Sequence, residues 1–154
     1  MINAYCIGGS IVNGWGTDLD IHWDNILRNT TSLKHYTLPD GTATYASFLD
    51  NEQWEELLTK YGHHYTKAAL LCIEAINKAT EQLTIDWTTT TIVLATTKGD
   101  IDLYATLKTI NHNTLSFLPH LAAQLNVYYK PQKPVQIISN ACISGSQAIQ
   151  FGAS

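Results

Sequence analysis

The strongest constraint on this chain is the order in which two hydrophobic periods alternate along it. Short apolar or β-branched runs occur at Ala4-Tyr5-Cys6-Ile7, Ile92-Val93-Leu94-Ala95 and Val135-Gln136-Ile137-Ile138. Each has the length of a buried strand rather than of a helix. Between and after them, apolar residues recur at helical spacing. The order is strand, helices, strand, helix, strand, helix, and it predicts an α/β layered fold with a mostly parallel sheet and helices on both faces.

The helices carry their own punctuation. Trp54, Leu57, Leu58 and Tyr61 follow i, i+3, i+4, i+7 spacing behind Asp50, with Gln53 three residues on and Gly62 as a stop. That pattern is a capping box followed by an amphipathic helix. From Tyr65 onward Ala68, Ala69, Cys72, Ile73 and Ile76 repeat the spacing, while Leu70 and Leu71 lie on the opposite side. A helix apolar on two sides belongs between layers. Leu118, Leu121, Ala122 and Leu125 form another stripe, with Ser116 as its cap and Pro119 in the first turn, where a missing N–H costs little. Ser144 to Ile149 opens a last helix. The first strand runs into Gly8-Gly9 and then Asn13-Gly14-Trp15-Gly16, a glycine-rich turn. From Thr17 to Pro39 the signals are mixed, with a short helix expected around Trp23 to Arg28.

Composition narrows the function. Nine Lys and Arg against thirteen Asp and Glu give a net charge of −4, the wrong sign for a protein that neutralises phosphates through a basic face. No nucleic-acid partner is expected. The longest apolar run, Ala68 to Ile73, is far short of a membrane span. The first basic residue is Arg28, so no secretory leader is read at the start. Cys6, Cys72 and Cys142 are odd in number and widely spaced, which fits neither a disulfide framework nor a zinc site. The expectation is a cytoplasmic protein with reduced thiols. Charged residues make up 14% of the chain against a usual value of about 25%, so either uncharged polar residues supply the surface or much of it is covered.

Cys142 stands in Ser139-Asn140-Ala141-Cys142-Ile143-Ser144-Gly145-Ser146, between a strand and a helix. A thiol there gains from the positive end of the helix dipole, which favours thiolate. The unpaired N–H groups of a first helical turn also offer donors to a developing oxyanion. Ala141, Ser144, Gly145 and Ser146 leave room for a substrate carbonyl. Position alone equally allows a buried, inert cysteine filling the joint.

Ile138-Ser139-Asn140-Ala141-Cys142-Ile143-Ser144-Gly145, continued by Ala148-Ile149, resembles the nucleophile segment of the β-ketoacyl-acyl-carrier-protein synthases of the thiolase fold. Tyr5 to Gly9 with Asn13 to Gly16 is similar to that family's first strand and glycine-bearing loop. Leu94-Ala95-Thr96-Thr97-Lys98-Gly99 is similar to its Ser/Thr-Thr-Lys-Gly strand and loop. The three segments stand in the family's order across nearly the whole chain. The resemblance implies a thiolase-like fold and assigns residues 1–154 to its N-terminal half, cut shortly after the nucleophile. It implies that Cys142 accepts an acyl group as a thioester, its own backbone N–H serving as an oxyanion donor, before condensation with a malonyl thioester. No bound cofactor is implied, because the acyl groups travel on the phosphopantetheine of an acyl carrier protein. A homodimer or heterodimer paired through the strand Val135 to Ser139 is implied as well.

The family's two catalytic histidines, its lysine and its glycine-rich C-terminal loop lie beyond the matched region, so this stretch by itself is expected to be inactive in condensation. Asp100 stands where the family commonly has glycine, and Thr17 to Asp50 resembles it only loosely. Two other readings compete. One is a non-catalytic partner subunit of the chain-length-factor kind, against which Cys142 argues because such partners usually lack the nucleophile. The other is a cysteine hydrolase using His112 or His120. The six histidines, including the pair His63-His64, are expected to be exposed or capping residues.

Overall fold

The computed structural model describes residues 4–103 and 117–154. Helix α1 spans Leu19–Leu27 and starts where the Asp18 carboxylate accepts from the Asp20 and Ile21 N–H groups. Strands β1, Lys34–Thr37, and β2, Ala43–Ala46, form an antiparallel hairpin with Lys34 opposite Ala46. Helix α2, Asn51–Tyr61, carries the predicted capping box in full: Asp50 accepts from the Gln53 N–H, and the Gln53 side chain accepts from the Asp50 N–H. It ends at Gly62, whose φ of 97° suits a residue without a Cβ. Helix α3, Lys67–Ala79, is capped by Thr66. Strand β3 (Val93–Ala95), helix α4 (Phe117–Tyr129), strand β4 (Gln136–Ile138), a 3₁₀ turn (Ala141–Ile143) and helix α5 (Ser144–Gly152) complete the order.

The fold is therefore mixed α/β, as the alternation of periods predicted. Strands β3 and β4 are parallel neighbours, with Val93 opposite Gln136 and Ala95 opposite Ile138. Alternation along them puts Ile92, Leu94, Val135 and Ile137 on the face that carries the core. There they meet Leu57 and Tyr61 of α2, Leu70 and Ile73 of α3, and Ala122, Leu125 and Tyr129 of α4. Leu70, Ile73 and Leu125 are the most deeply buried of these side chains. Helix α5 packs against β3 and β4 and lines a groove with Ile138. Both sides of α3 that the sequence marked as apolar are covered, with Ala69, Leu70 and Ile73 buried and Leu71 half-buried.

Three expectations are corrected. Among the described residues the strands form two separate pairs, one antiparallel and one parallel, rather than a mostly parallel sheet. Residues 4–7 form no strand, and Tyr5 and Ile7 are exposed. The chain is tied instead to the end of α3: a Cβ on Gly8 would meet the Ala79 carbonyl oxygen at 2.2 Å, and Ser10 Oγ donates to the Ala75 carbonyl at 2.6 Å. The hairpin was not expected. Its faces are mostly exposed, so the apolar alternation that announces a strand is missing. Edge-to-face contacts of Tyr36 with Phe48 and His35 with Tyr45 hold it in place of a core. The candidate cap Ser116 lies outside the described residues.

Candidate functional site

Cys142 is exposed, which removes the reading of a buried cysteine filling the joint. The sequence placed it between a strand and a helix, and it lies there: β4 ends at Ile138, the 3₁₀ turn holds Cys142, and α5 begins at Ser144. The turn is reversed by Ala141, whose φ of 44° is a left-handed conformation that costs an L-residue about 1–2 kcal/mol. Buried Ser144 stabilises it. Its hydroxyl accepts from the Asn140 N–H at 2.7 Å and donates to the Ala141 carbonyl at 2.9 Å. The Asn140 amide donates to the Gln147 side chain one turn further on at 3.1 Å. Of the small residues expected to make room, Ser144 is thus spent inside the turn, while a Cβ on Gly145 would meet only open space. No side chain caps the start of α5. Among the described residues the Cys142 N–H has no hydrogen-bond partner. Beside the turn lies an open groove of ≈ 540 Å³ lined by Ile138, Ser139, Asn140, Gln147 and Phe151.

Because β3 and β4 are parallel, the loop that follows β3 leaves the same sheet edge as the Cys142 turn. Thr96 N–H donates to the Ile138 carbonyl at 3.2 Å and joins the two. Thr96 Oγ1 accepts from the N–H groups of Lys98 and Gly99. Gly99, at φ 57°, is pressed so close to the Phe117 carbonyl that a Cβ would stand 2.4 Å from its oxygen. Asp100 follows and is fully buried. Its carboxylate accepts from Thr66 Oγ1 at 2.5 Å, His120 Nδ1 at 2.5 Å and Gln124 Nε2 at 2.8 Å. The Asp100 contacts join the β3 loop, the cap of α3 and the first turns of α4.

This network was not legible in the sequence, because the partners of Asp100 lie 20 to 34 residues from it. Its signals were slight: Thr66 at a helix start, and an aspartate directly after Lys98-Gly99. His22, expected to be exposed or capping, was missed as well, although its partners are near in sequence. It is buried, with Nδ1 2.6 Å from the Asp18 carbonyl and Nε2 2.9 Å from Asn13 Oδ1. His35, His63 and His64 are exposed as expected. No histidine hydrogen-bonds to Cys142 among the described residues, and His112 lies outside them. His120 is engaged with Asp100.

A second buried carboxylate, Glu74, receives Lys60 Nζ at 2.8 Å and the Tyr61 hydroxyl at 2.5 Å. Burial opposes its ionisation, but the hydrogen bonds from Lys60 and Tyr61 and the nearby positive charges outweigh it, holding the carboxyl below its usual range. Cys72 behaves oppositely: burial, helped by the negative charge of Asp100, pushes its thiol up to about 11. Among the described residues no group of three or more His, Cys, Asp or Glu could hold a metal ion. No helix among them is long and apolar enough to cross a membrane.

The site therefore defines a class in chemical terms: an exposed thiol on a strained turn between a parallel strand and a helix, with a free N–H beside it. Comparisons with protein-family models, with curated proteins and with solved structures find no match to this chain.

Proposed function

We propose that the chain is the acyl-accepting part of a β-ketoacyl synthase with a thiolase-like fold, Cys142 being its nucleophile. The observation that carries the reading is the exposed Cys142 on its strained strand-to-helix turn, with an unengaged N–H as an oxyanion donor. In the proposed step the Cys142 sulfur attacks the carbonyl carbon of an acyl-carrier thioester, and the acyl–sulfur bond to the carrier breaks. The carrier thiol leaves with the proton that Cys142 gives up. The acyl-Cys142 thioester stays activated for a carbon nucleophile. In condensation a malonyl thioester loses carbon dioxide, its carbanion displaces Cys142, and a β-ketoacyl thioester forms.

The reading assigns the histidines and lysine of that second step to a complementing C-terminal half, supplied in the same chain or separately. The outer edge of β4, unpaired among the described strands, suits the proposed dimer through Val135 to Ser139. Acyl carrier protein is the proposed substrate-bearing partner, and the cytoplasm the proposed compartment. A non-catalytic partner subunit has no use for an exposed thiol on such a turn, and a cysteine hydrolase lacks an engaged histidine among the described residues.

Acyl transfer from a hexanoyl-pantetheine thioester tests the reading by intact mass and peptide mapping. Hexanoylation of Cys142, at least about tenfold faster than of exposed Cys6 and lost in Cys142→Ala, is the expected result. Equal labelling of Cys6 and Cys142, or none at Cys142, would overturn it.

A further inference from the structure

Helix α1 is packed inside out. Its one buried residue is His22, while Leu19, Trp23, Ile26 and Leu27 are exposed. Those four sit at i, i+4, i+7 and i+8, so they form one stripe along the helix. The arrangement is fixed from below by polar bonds. His22 reaches the Asp18 carbonyl and the Asn13 side chain and meets the Trp15 ring edge-on at 5.6 Å. The stripe exposes on the order of 400 Å² of apolar surface, the size at which a patch on a monomer is commonly a contact site.

At Leu19 the stripe runs into a groove of ≈ 630 Å³, walled by the Ile7-Gly8-Gly9 backbone, Ala79 and Leu83. Its charged lining is Asp18, Asp20 and Glu81 against Lys78 alone, and Lys78 already lies 3.4 Å from Glu81. Asp24 extends the acidic flank along α1, with exposed Arg28 as its counter-charge at 3.7 Å.

We propose that the α1 stripe and this groove form a docking surface for an amphipathic helix whose apolar face is flanked by lysine or arginine. The apolar stripe of α1 and the acidic lining of the groove beside it select such a helix by both terms, burial and charge. A second copy would bring the same acidic flank, Asp18, Asp20 and Asp24, and, among the described residues, no lysine- or arginine-rich face to meet it. An anionic lipid surface is repelled by that flank. The proposal does not depend on the acyl chemistry of Cys142.

The probes are two fluorescently labelled peptides with the same leucine face, one flanked by lysine and the other by glutamate, titrated against the whole chain by anisotropy. The Leu/Lys peptide is expected to bind at least about tenfold tighter than the Leu/Glu peptide, and Trp23→Asp and Leu27→Asp each to weaken it about tenfold or more. Both positions are exposed, so circular dichroism should show folding unchanged. Equal affinity for the two peptides, no binding of either, or binding unaffected by both substitutions would overturn the proposal. So would light scattering showing a dimer that Leu27→Asp dissociates, or preferential binding to phosphatidylglycerol vesicles.

Discussion

Asp100→Asn tests how far one buried carboxylate holds the sheet edge together. Asp100 is 0% exposed and accepts three hydrogen bonds, from Thr66, His120 and Gln124. Asparagine is nearly isosteric but presents one oxygen and one NH₂ group to three donors. At least one donor loses its acceptor and the new NH₂ faces another donor. Each buried polar group left unpaired costs about 1–3 kcal/mol. The His120 side chain is 42% exposed and recovers water, so its loss is small. Thr66 and Gln124 are half-buried and recover less. The expected destabilisation is about 2–4 kcal/mol, within reach of urea unfolding followed by far-ultraviolet circular dichroism. The midpoint should fall with the slope unchanged. His120→Ala, which leaves Asp100 with its two other donors, should cost about half as much. In the double variant the two effects should fail to add. An unfolding free energy for Asp100→Asn within about 0.5 kcal/mol of the unaltered protein would refute the view that the network carries stability.

Three further outcomes follow from the same geometry. At pH 8 iodoacetamide should alkylate exposed Cys142 and leave Cys72 as a thiol, because a group raised to about 11 is overwhelmingly protonated there; equal modification of the two, read by peptide mapping, would contradict the burial of Cys72. The Glu74 carboxyl is lowered from its ordinary 4.5, so the stability it contributes is present above that pH and lost as pH falls through its folded value. Glu74→Gln should therefore flatten the decline of stability below about pH 4.5, and a decline as steep as before would show that other carboxylates dominate acid unfolding. Gly99→Ala places a Cβ 2.4 Å from the Phe117 carbonyl oxygen at a positive φ, and an unfolding free energy lowered by about 2 kcal/mol or more, read by urea denaturation, is expected.

The parts of the fold legible in the sequence were those whose cause is local. The Asp50-to-Gln53 capping box, the Gly62 stop and the stripes of α3 and α4 each lie within a few residues, where spacing determines which side chains meet. Strand β3 was readable because its short apolar run fits a buried sheet position. The segment at residues 4–7 is likewise a short apolar run yet forms no strand. Gly8 and Ser10 hold it against the end of α3, and neither contact leaves a mark in the local pattern. The hairpin failed for the converse reason, since a strand exposed on both faces has no apolar period to display.

The candidate site divides along the same line. Cys142 stood out because a strand, small residues and a helix start adjoin it in sequence. The groups at the same sheet edge did not, because Thr66, Asp100 and His120 are joined only by the fold. Helix α1, Leu19–Leu27, adds a third case: the sequence signals there were mixed, with a short helix expected only around Trp23 to Arg28. An apolar stripe ordinarily faces the core, yet here hydrogen bonds to His22 determine the orientation and leave Leu19, Trp23, Ile26 and Leu27 outward. The low content of charge belongs to the same picture. A surface that carries apolar stripes needs fewer charged residues than one turned wholly to water. Exposed Leu19, Trp23, Ile26 and Leu27 occupy surface that charged residues would otherwise hold, beside whatever the uncharged polar residues supply.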